Sequence, residues 1–265
     1  MMGRSVAACA ISISLFMHCP LASLVMGLAA GTNEGMESAK GRGCNRSSIG
    51  REGCGSATMV GDQTIDHFLE ELAGGTAEPG GGAATALMAA TGAALVSMAC
   101  GLTIGREKYR QQEAAMIRAR RDAEALRTQA LSLVADDIQA FREVTAAYGL
   151  PRGTGAEKDE RTACVQAALK GATEVPLHIA ILASRVVELC SDVVADVNPN
   201  AAGDLAVGAL AARGAVDGAV LSVKINLRLI RDSTFQTRVD EQLQDKSAMA
   251  RASADHVIRT VEART

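Results

Sequence analysis

REKYRQQEAAMIRARRDAEALRTQALSLVADDIQAFREVTAAYGLP, residues 106–151, decides the fold. Read at steps of three and four, it carries one inward line: Met116, Ala119, Ala123, Leu126, Ala130, Leu133, Asp137, Phe141, Val144 and Tyr148. That spacing is the period of an α-helix with one apolar face. Gly149 and Pro151 then end it in the order that helix C-termini favour. One very long helix is therefore predicted, opening at the basic residues Arg106 and Lys108 and running to about Tyr148. Every position on the line is apolar or amphipathic except Asp137. Asp136 points about 100° away around the helix, toward the wetter flank. Asp137 stands between Leu133 and Phe141, one turn away on either side. Burying a charge there is costly, so the site must raise the pKa of the carboxyl or give it partners. A carboxyl tuned in this way suits general acid or base work near neutral pH. From pattern alone, an Asp satisfied by a Ser, an Asn or a backbone group on a facing helix is the reading to be preferred.

Immediately upstream, residues 83–104 (AATALMAATGAALVSMACGLTI) carry no charge. Their length matches a bilayer. Ala, Gly, Ser and Thr insert weakly, however, compared with Leu and Phe. A central helix buried on all sides is the prediction, with a small membrane protein as the rival reading. Before it come a short helix over 64–72, with Asp62 as its cap, and the turn Pro79, Gly80, Gly81, Gly82. Downstream, helices are predicted over 157–197, with a kink at Pro176, then over 201–231 and 234–262. The helix over 201–231 has an apolar face and, beside it, the stripe Asp204, Gly208, Ala211, Ala215, Gly218, Ser222, Asn226. Small residues in its middle permit close helix contact, and polar residues mark its ends. No segment has the period of two expected of a strand. The fold class predicted is all-α: an up-and-down bundle of about six helices with one long helix.

Composition agrees. Among 265 residues there are no Trp, two Tyr and four Phe, while hydrophobic residues make up 48%. The core must be built of Ala, Leu, Val, Ile and Met, which suits packed helices better than sheets. A net charge of −3, with no Lys/Arg run, gives no case for nucleic acid. Cys100, Cys164 and Cys190 sit in apolar helical patterns, where a thiol acts as a small hydrophobe rather than a disulfide half. The four histidines show no metal-ligand spacing, and His178 reads as a core histidine. EPGGGAAT opens a helix and its amides could cradle an anion, but it lacks the Lys-Ser/Thr of a P-loop.

Residues 1–58 follow a different pattern. Arg4 precedes an apolar run to Ala30 that resembles an export signal. Residues 31–58 are rich in Gly, Ser and charge without periodicity. Helical patterning begins near Met59, so 1–58 is predicted to be a dispensable or signal-like extension and 59–265 the helical domain.

Six stretches taken in order resemble the formiminotetrahydrofolate cyclodeaminase/methenyltetrahydrofolate cyclohydrolase family: TIDHFLEELAG, EPGGGAATALMAATGAALVSMACGLTIGREKY, DDIQAFREVTAAYGLPRGT, ATEVPLHIA, NPNAAGDLAVGAL and GAVLSVKINLRLIRD. Together they cover nearly all of 62–265. The resemblance implies an all-helical cytoplasmic dimer that acts on a tetrahydrofolate carrying one carbon, with no metal and no cofactor beyond that substrate. It implies no membrane and no nucleic acid. The implied reaction is conversion of 5-formiminotetrahydrofolate to 5,10-methenyltetrahydrofolate with loss of ammonia. Hydrolysis of the methenyl compound is the first alternative, and a non-catalytic helical binding dimer the second. The family's proton donor aligns with Asp137. Pro79, Gly80, Gly81 and Gly82 match its PGGG turn, and Arg106, Lys108 and Tyr109 its basic-aromatic tail. Asp204, Lys224 and Asn226 match its polar positions on the fifth helix. Ala83, Gly203 and Ser222 depart from the family pattern, which often has Ser, Ser and Asn there, and this bears on substrate preference.

Overall fold

A computed structural model describes residues 63–264; the 1–58 extension, the Asp62 cap and Met59 lie outside the described residues. In chain order the helices are α1 (Ile65–Ala73), α2 (Gly81–Gly101), α3 (Glu113–Tyr148), α4 (Gly155–Val193), α5 (Pro199–Leu227), α6 (Ser233–Leu243) and α7 (Lys246–Glu262). A single 3-10 turn, Glu107–Tyr109, lies between α2 and α3. No strand occurs among the described residues. The fold is an all-α up-and-down bundle.

The core is assembled around α2. Its Ala83, Ala86, Ala89, Ala93, Val96, Ala99 and Cys100 are fully buried, and α3 and α5 pack along it. Small residues let the backbones approach. A Cβ placed on Gly92 would lie 2.8 Å from the Gly208 carbonyl oxygen, and one on Gly218 would lie 3.1 Å from Thr85 Oγ1. The small-residue stripe of α5 is therefore a helix-contact surface in its middle, as the sequence suggested. Those two contacts also fix α2 and α5 as antiparallel. Both helices are long and apolar enough to cross a membrane, with mean hydropathy 1.7 and 1.4, yet 61% and 44% of those windows are buried inside the bundle.

Several local expectations shift. Arg106 and Lys108 precede the long helix rather than open it, and α3 starts at Glu113. Its buried line is Met116, Ala119, Ala123, Ala130, Val134, Val144 and Ala147, while Leu133 is half-buried and Tyr148 exposed. A line stepped near 3.5 residues drifts about 20° per heptad on a straight helix, which carries it off the true seam. The helix expected over 234–262 is two, α6 and α7, broken where Asp245 takes a left-handed φ of 61°. Thr64 caps α1 through the His67 N–H. Finally, His178 is exposed. Its neighbours Leu177, Ile179 and Ala180 take the buried side of α4, leaving His178 and Ile181 on the outward stripe.

Candidate active site

The first turn of a helix leaves backbone N–H groups without partners. In α2 the N-cap is Gly80, which has no side chain to satisfy them. The Asp137 carboxylate, reaching from mid-α3, supplies the acceptor instead: the Ala83 N–H donates to it. Contact is so close that a Cβ on Gly82 would lie 2.1 Å from Asp137 Oδ1, so any side chain at 82 must push the carboxylate aside. The anion that the Gly-rich turn cradles is thus the protein's own carboxylate. Burial pushes the Asp137 carboxyl above its ordinary value, and the Ala83 N–H pulls it part of the way back. Asp136 is exposed, as its place on the helix predicts.

The turn is tied down from both sides. Pro79 is buried and follows a cis peptide bond from Glu78. Arg142 Nε donates to Glu78 Oε2 at 2.7 Å, bridging the turn to α3 beyond Asp137. Thr76 Oγ1 donates to the Glu78 carbonyl at 2.8 Å. Sequence reasoning missed Glu78 and Arg142. An exposed Arg on a charged helix face carries no signal, and its partner is 64 positions away.

Because α5 runs antiparallel to α2, its C-terminal end lies at this same end of the bundle. Lys224 is exposed there, and Asn226 Nδ2 donates to the Ala172 carbonyl of α4 at 2.9 Å. The remaining sequence-predicted residues are elsewhere. Arg106, Lys108 and Tyr109 follow the opposite end of α2, and Asp204 lies near the start of α5. Arg106, Lys108 and Asp204 are exposed. Lys108 Nζ stands 5.5 Å from the Tyr109 ring centroid. Across the 21 residues of α2 the two groups are separated by roughly 30 Å. One copy of the chain does not bring them together.

Two other features were open to chemistry. Cys100 and Cys190 are buried thiols pushed up to about 11 and about 12 by burial, which makes them inert. Among the described residues no cluster of three His, Cys, Asp or Glu side chains is arranged to hold a metal ion.

A helical bundle that packs one carboxyl of raised pKa against a glycine turn is an arrangement that acid/base chemistry can use. The comparisons narrow that chemistry. The family model described as formiminotransferase-cyclodeaminase matches residues 64–245. A methenyltetrahydrofolate cyclohydrolase from Methylorubrum extorquens is 39% identical over 206 residues, covering 78% of this chain and 99% of that protein. The formimidoyltransferase-cyclodeaminase of Rattus norvegicus is 33% identical over 203 residues; the match covers 77% of this chain and 38% of the rat protein. The solved structure of a formiminotetrahydrofolate cyclodeaminase from Thermotoga maritima superposes with a TM-score of 0.70 at 25% identity, covering 77% of this chain and 98% of that one. The chain belongs to the formiminotransferase-cyclodeaminase family.

Proposed function

We propose that this protein is a folate one-carbon enzyme that converts 5-formiminotetrahydrofolate to 5,10-methenyltetrahydrofolate and releases ammonia. The observation that carries the reading is the Asp137 carboxyl, half-sealed against Gly82 and Ala83 in a chain of this family. N10 of the folate attacks the formimino carbon, and the new C–N bond leaves a proton on N10. Asp137 accepts that proton and returns it to the exocyclic nitrogen of the tetrahedral adduct. Ammonia departs with the electrons of its C–N bond, and the lone pair of N10 closes the methenyl double bond. Starting from the protonated formimino group, no net proton is consumed. A carboxyl with a raised pKa both takes and gives a proton near neutrality more readily than an ordinary Asp.

A second reading is the hydrolysis of 5,10-methenyltetrahydrofolate, and the 39% match across nearly the whole of the Methylorubrum cyclohydrolase favours it. Water adds to the methenyl carbon while Asp137 accepts one of its protons; the C–N5 bond then breaks as the new hydroxyl becomes the formyl carbonyl, the hydroxyl proton passes to N5, and one proton is released overall. Incubation with each substrate, following the absorbance of the methenyl compound, tests both. Its appearance from the formimino substrate supports deamination, and its loss supports hydrolysis. No change with either leaves only a binding role and overturns the enzymatic reading.

The working unit is proposed to be a homodimer, in which the Asp137 end of one copy meets the basic loop of the other. Two observations support this. The predicted site residues are split between ends about 30 Å apart, further than a folate with a single glutamate reaches. Moreover, Met88, Met98 and Leu102 of the α2 flank, with Val207, Leu210 and Leu221 of α5, are exposed apolar residues on the two antiparallel helices that join those ends. An exposed apolar strip of that kind marks a protein interface, and a two-fold pairing reverses one copy relative to the other. Pro79, Gly80, Gly81 and Gly82 then shape the pocket for the reacting carbon. Arg106, Lys108 and Tyr109 receive the glutamate carboxylates. Asp204, Lys224 and Asn226 line the cleft. The protein is proposed to be cytoplasmic, with folate as its only small-molecule partner.

A further inference from the structure

Arg106 and Lys108 sit at the tip of an exposed loop, and neither has an anionic partner among the described residues. A flexible loop would lose much of the affinity its charges offer, because ordering it on binding costs free energy. The structure answers this with one buried amide. Asn198, 6% exposed at the start of α5, uses each of its polar groups. Its backbone N–H donates to Thr103 Oγ1 at 2.9 Å, and its Nδ2 donates to the Leu102 carbonyl at 3.2 Å. Its Oδ1 accepts from the Asn200 N–H at 3.1 Å, capping α5, and faces the Tyr109 hydroxyl at 3.5 Å. Thr103 Oγ1 donates in turn to the Ala99 carbonyl at 2.8 Å, tying this knot into the last turn of α2. On its far side the loop is held by Glu113 Oε1, which accepts from the Gly105 N–H at 3.1 Å.

We propose that Asn198 is the positioning residue of the substrate-tail loop: it joins the end of α2, the start of α5 and Tyr109, and so presents Arg106 and Lys108 in one arrangement to the carboxylates of a bound folate. The role rests on the reading that this loop meets the glutamate tail. An amide is required because one side chain must both accept, at the α5 cap, and donate, to Leu102. Aspartate caps a helix equally well but turns a second acceptor toward the Leu102 carbonyl. Asn198→Asp therefore keeps the helix start and releases the loop.

The test uses the full chain in four forms: wild type, Asn198→Asp, Arg106→Ala/Lys108→Ala, and all three changes together. Each is assayed with mono- and polyglutamyl forms of the substrate that wild type turns over, 5-formimino- or 5,10-methenyltetrahydrofolate, and each is digested briefly with trypsin. Asn198→Asp is expected to raise KM about tenfold with kcat within about twofold, the size of one lost hydrogen bond to the loop. Trypsin is expected to cut at Arg106, Lys108 or Arg110 faster than in wild type. Added to the double-alanine background, Asn198→Asp should raise KM no further, since the groups it positions are gone. An equal rise in both backgrounds, or an unchanged KM with a trypsin-resistant loop, overturns the proposal. If Arg106→Ala/Lys108→Ala leaves KM unchanged, the tail reading fails and takes the substrate role of Asn198 with it, whatever trypsin shows. Asn198→Ser, which caps α5 but is too short for Leu102, must reproduce the Asp result. If both variants unfold, Asn198 is a folding residue and the positioning role is wrong.

Discussion

The two ends of α2 do opposite things with charge. At its N-terminal end a single carboxyl is drawn out of water, touched by Gly82 and fed by one N–H from Ala83. At the other end two cations stand in solvent, on a loop whose backbone rather than its charges is anchored. The proton transfer proposed for Asp137 needs an altered pKa, and desolvation by packing raises it there. Groups that bind a ligand's carboxylates need no altered pKa. They need to stay charged and to be held in place. The same helix serves both ends because its small residues allow tight packing at one and its C-terminus frees a loop at the other.

The sharpest way to break this contrast is at Asp137. Asp137→Asn retains size and hydrogen bonding but cannot move a proton, and the rate should fall about 10²–10⁴-fold with helicity unchanged. Asp136→Asn, one residue away and exposed, should match wild type. If the two variants behaved alike, the difference between buried and exposed carboxyls would have no bearing on catalysis. Next in size is Gly82→Ala. Its new methyl must displace the Asp137 carboxylate; if that strain, about 1–3 kcal/mol, falls on the transition state, kcat drops by roughly 5- to 160-fold. Gly81→Ala enters open space and should cost little, so a pair of equal losses would argue against the contact.

At the opposite end, Arg106→Ala/Lys108→Ala should raise KM about tenfold and leave kcat nearly unchanged, with a larger effect for polyglutamyl folates. A fall in kcat at constant KM would move these residues into the chemistry and erase the contrast. Stability as a function of pH separates the ends more gently. The folded protein raises the Asp137 pKa above its ordinary 3.8, so folding favours the protonated form. Wild type therefore loses stability as pH rises from that value through the raised one. Asp137→Asn cannot ionise, so its stability relative to wild type should increase across the same window in urea titrations. A stability of Asp137→Asn relative to wild type that stays flat or falls as pH rises would contradict a desolvated carboxyl. The smallest effect belongs to residues 1–58. A chain that begins at Met59 should keep its Tm and activity within error, because both ends of α2 and the described helices packed on them lie beyond that point. A large drop in either would mean the extension reaches one of the two ends.

Some of this was legible from periodicity. The long helix was, because apolar residues at helical spacing have only one economical arrangement. The inward turn of Asp137 followed from its place between Leu133 and Phe141, even though the buried line passes through Val134 and Ala147 rather than Leu133 and Tyr148. Burial of α2 followed from its lack of charge and its small residues. His178 was misread because a helix apolar over most of its surface hides which stripe faces out. The break at Asp245 was missed because its neighbours continue a helical pattern, and a left-handed φ at one residue leaves no mark in that pattern.

The sequence by itself determined the helices, their approximate lengths, and the one carboxyl placed on an apolar face. Those are local matters: each depends on residues within a few turns of one another. Only the tertiary structure decided that Asp137 would cap α2 across the bundle, that its carboxylate would fill the space a side chain at Gly82 would need, that Arg142 would hold Glu78, and that Asn198 would join two helix ends. These contacts link positions from 54 to 96 residues apart, and no pattern along the chain encodes them. They arise when small side chains let helices approach to backbone distance, and at that distance a single oxygen or amide finds its partner.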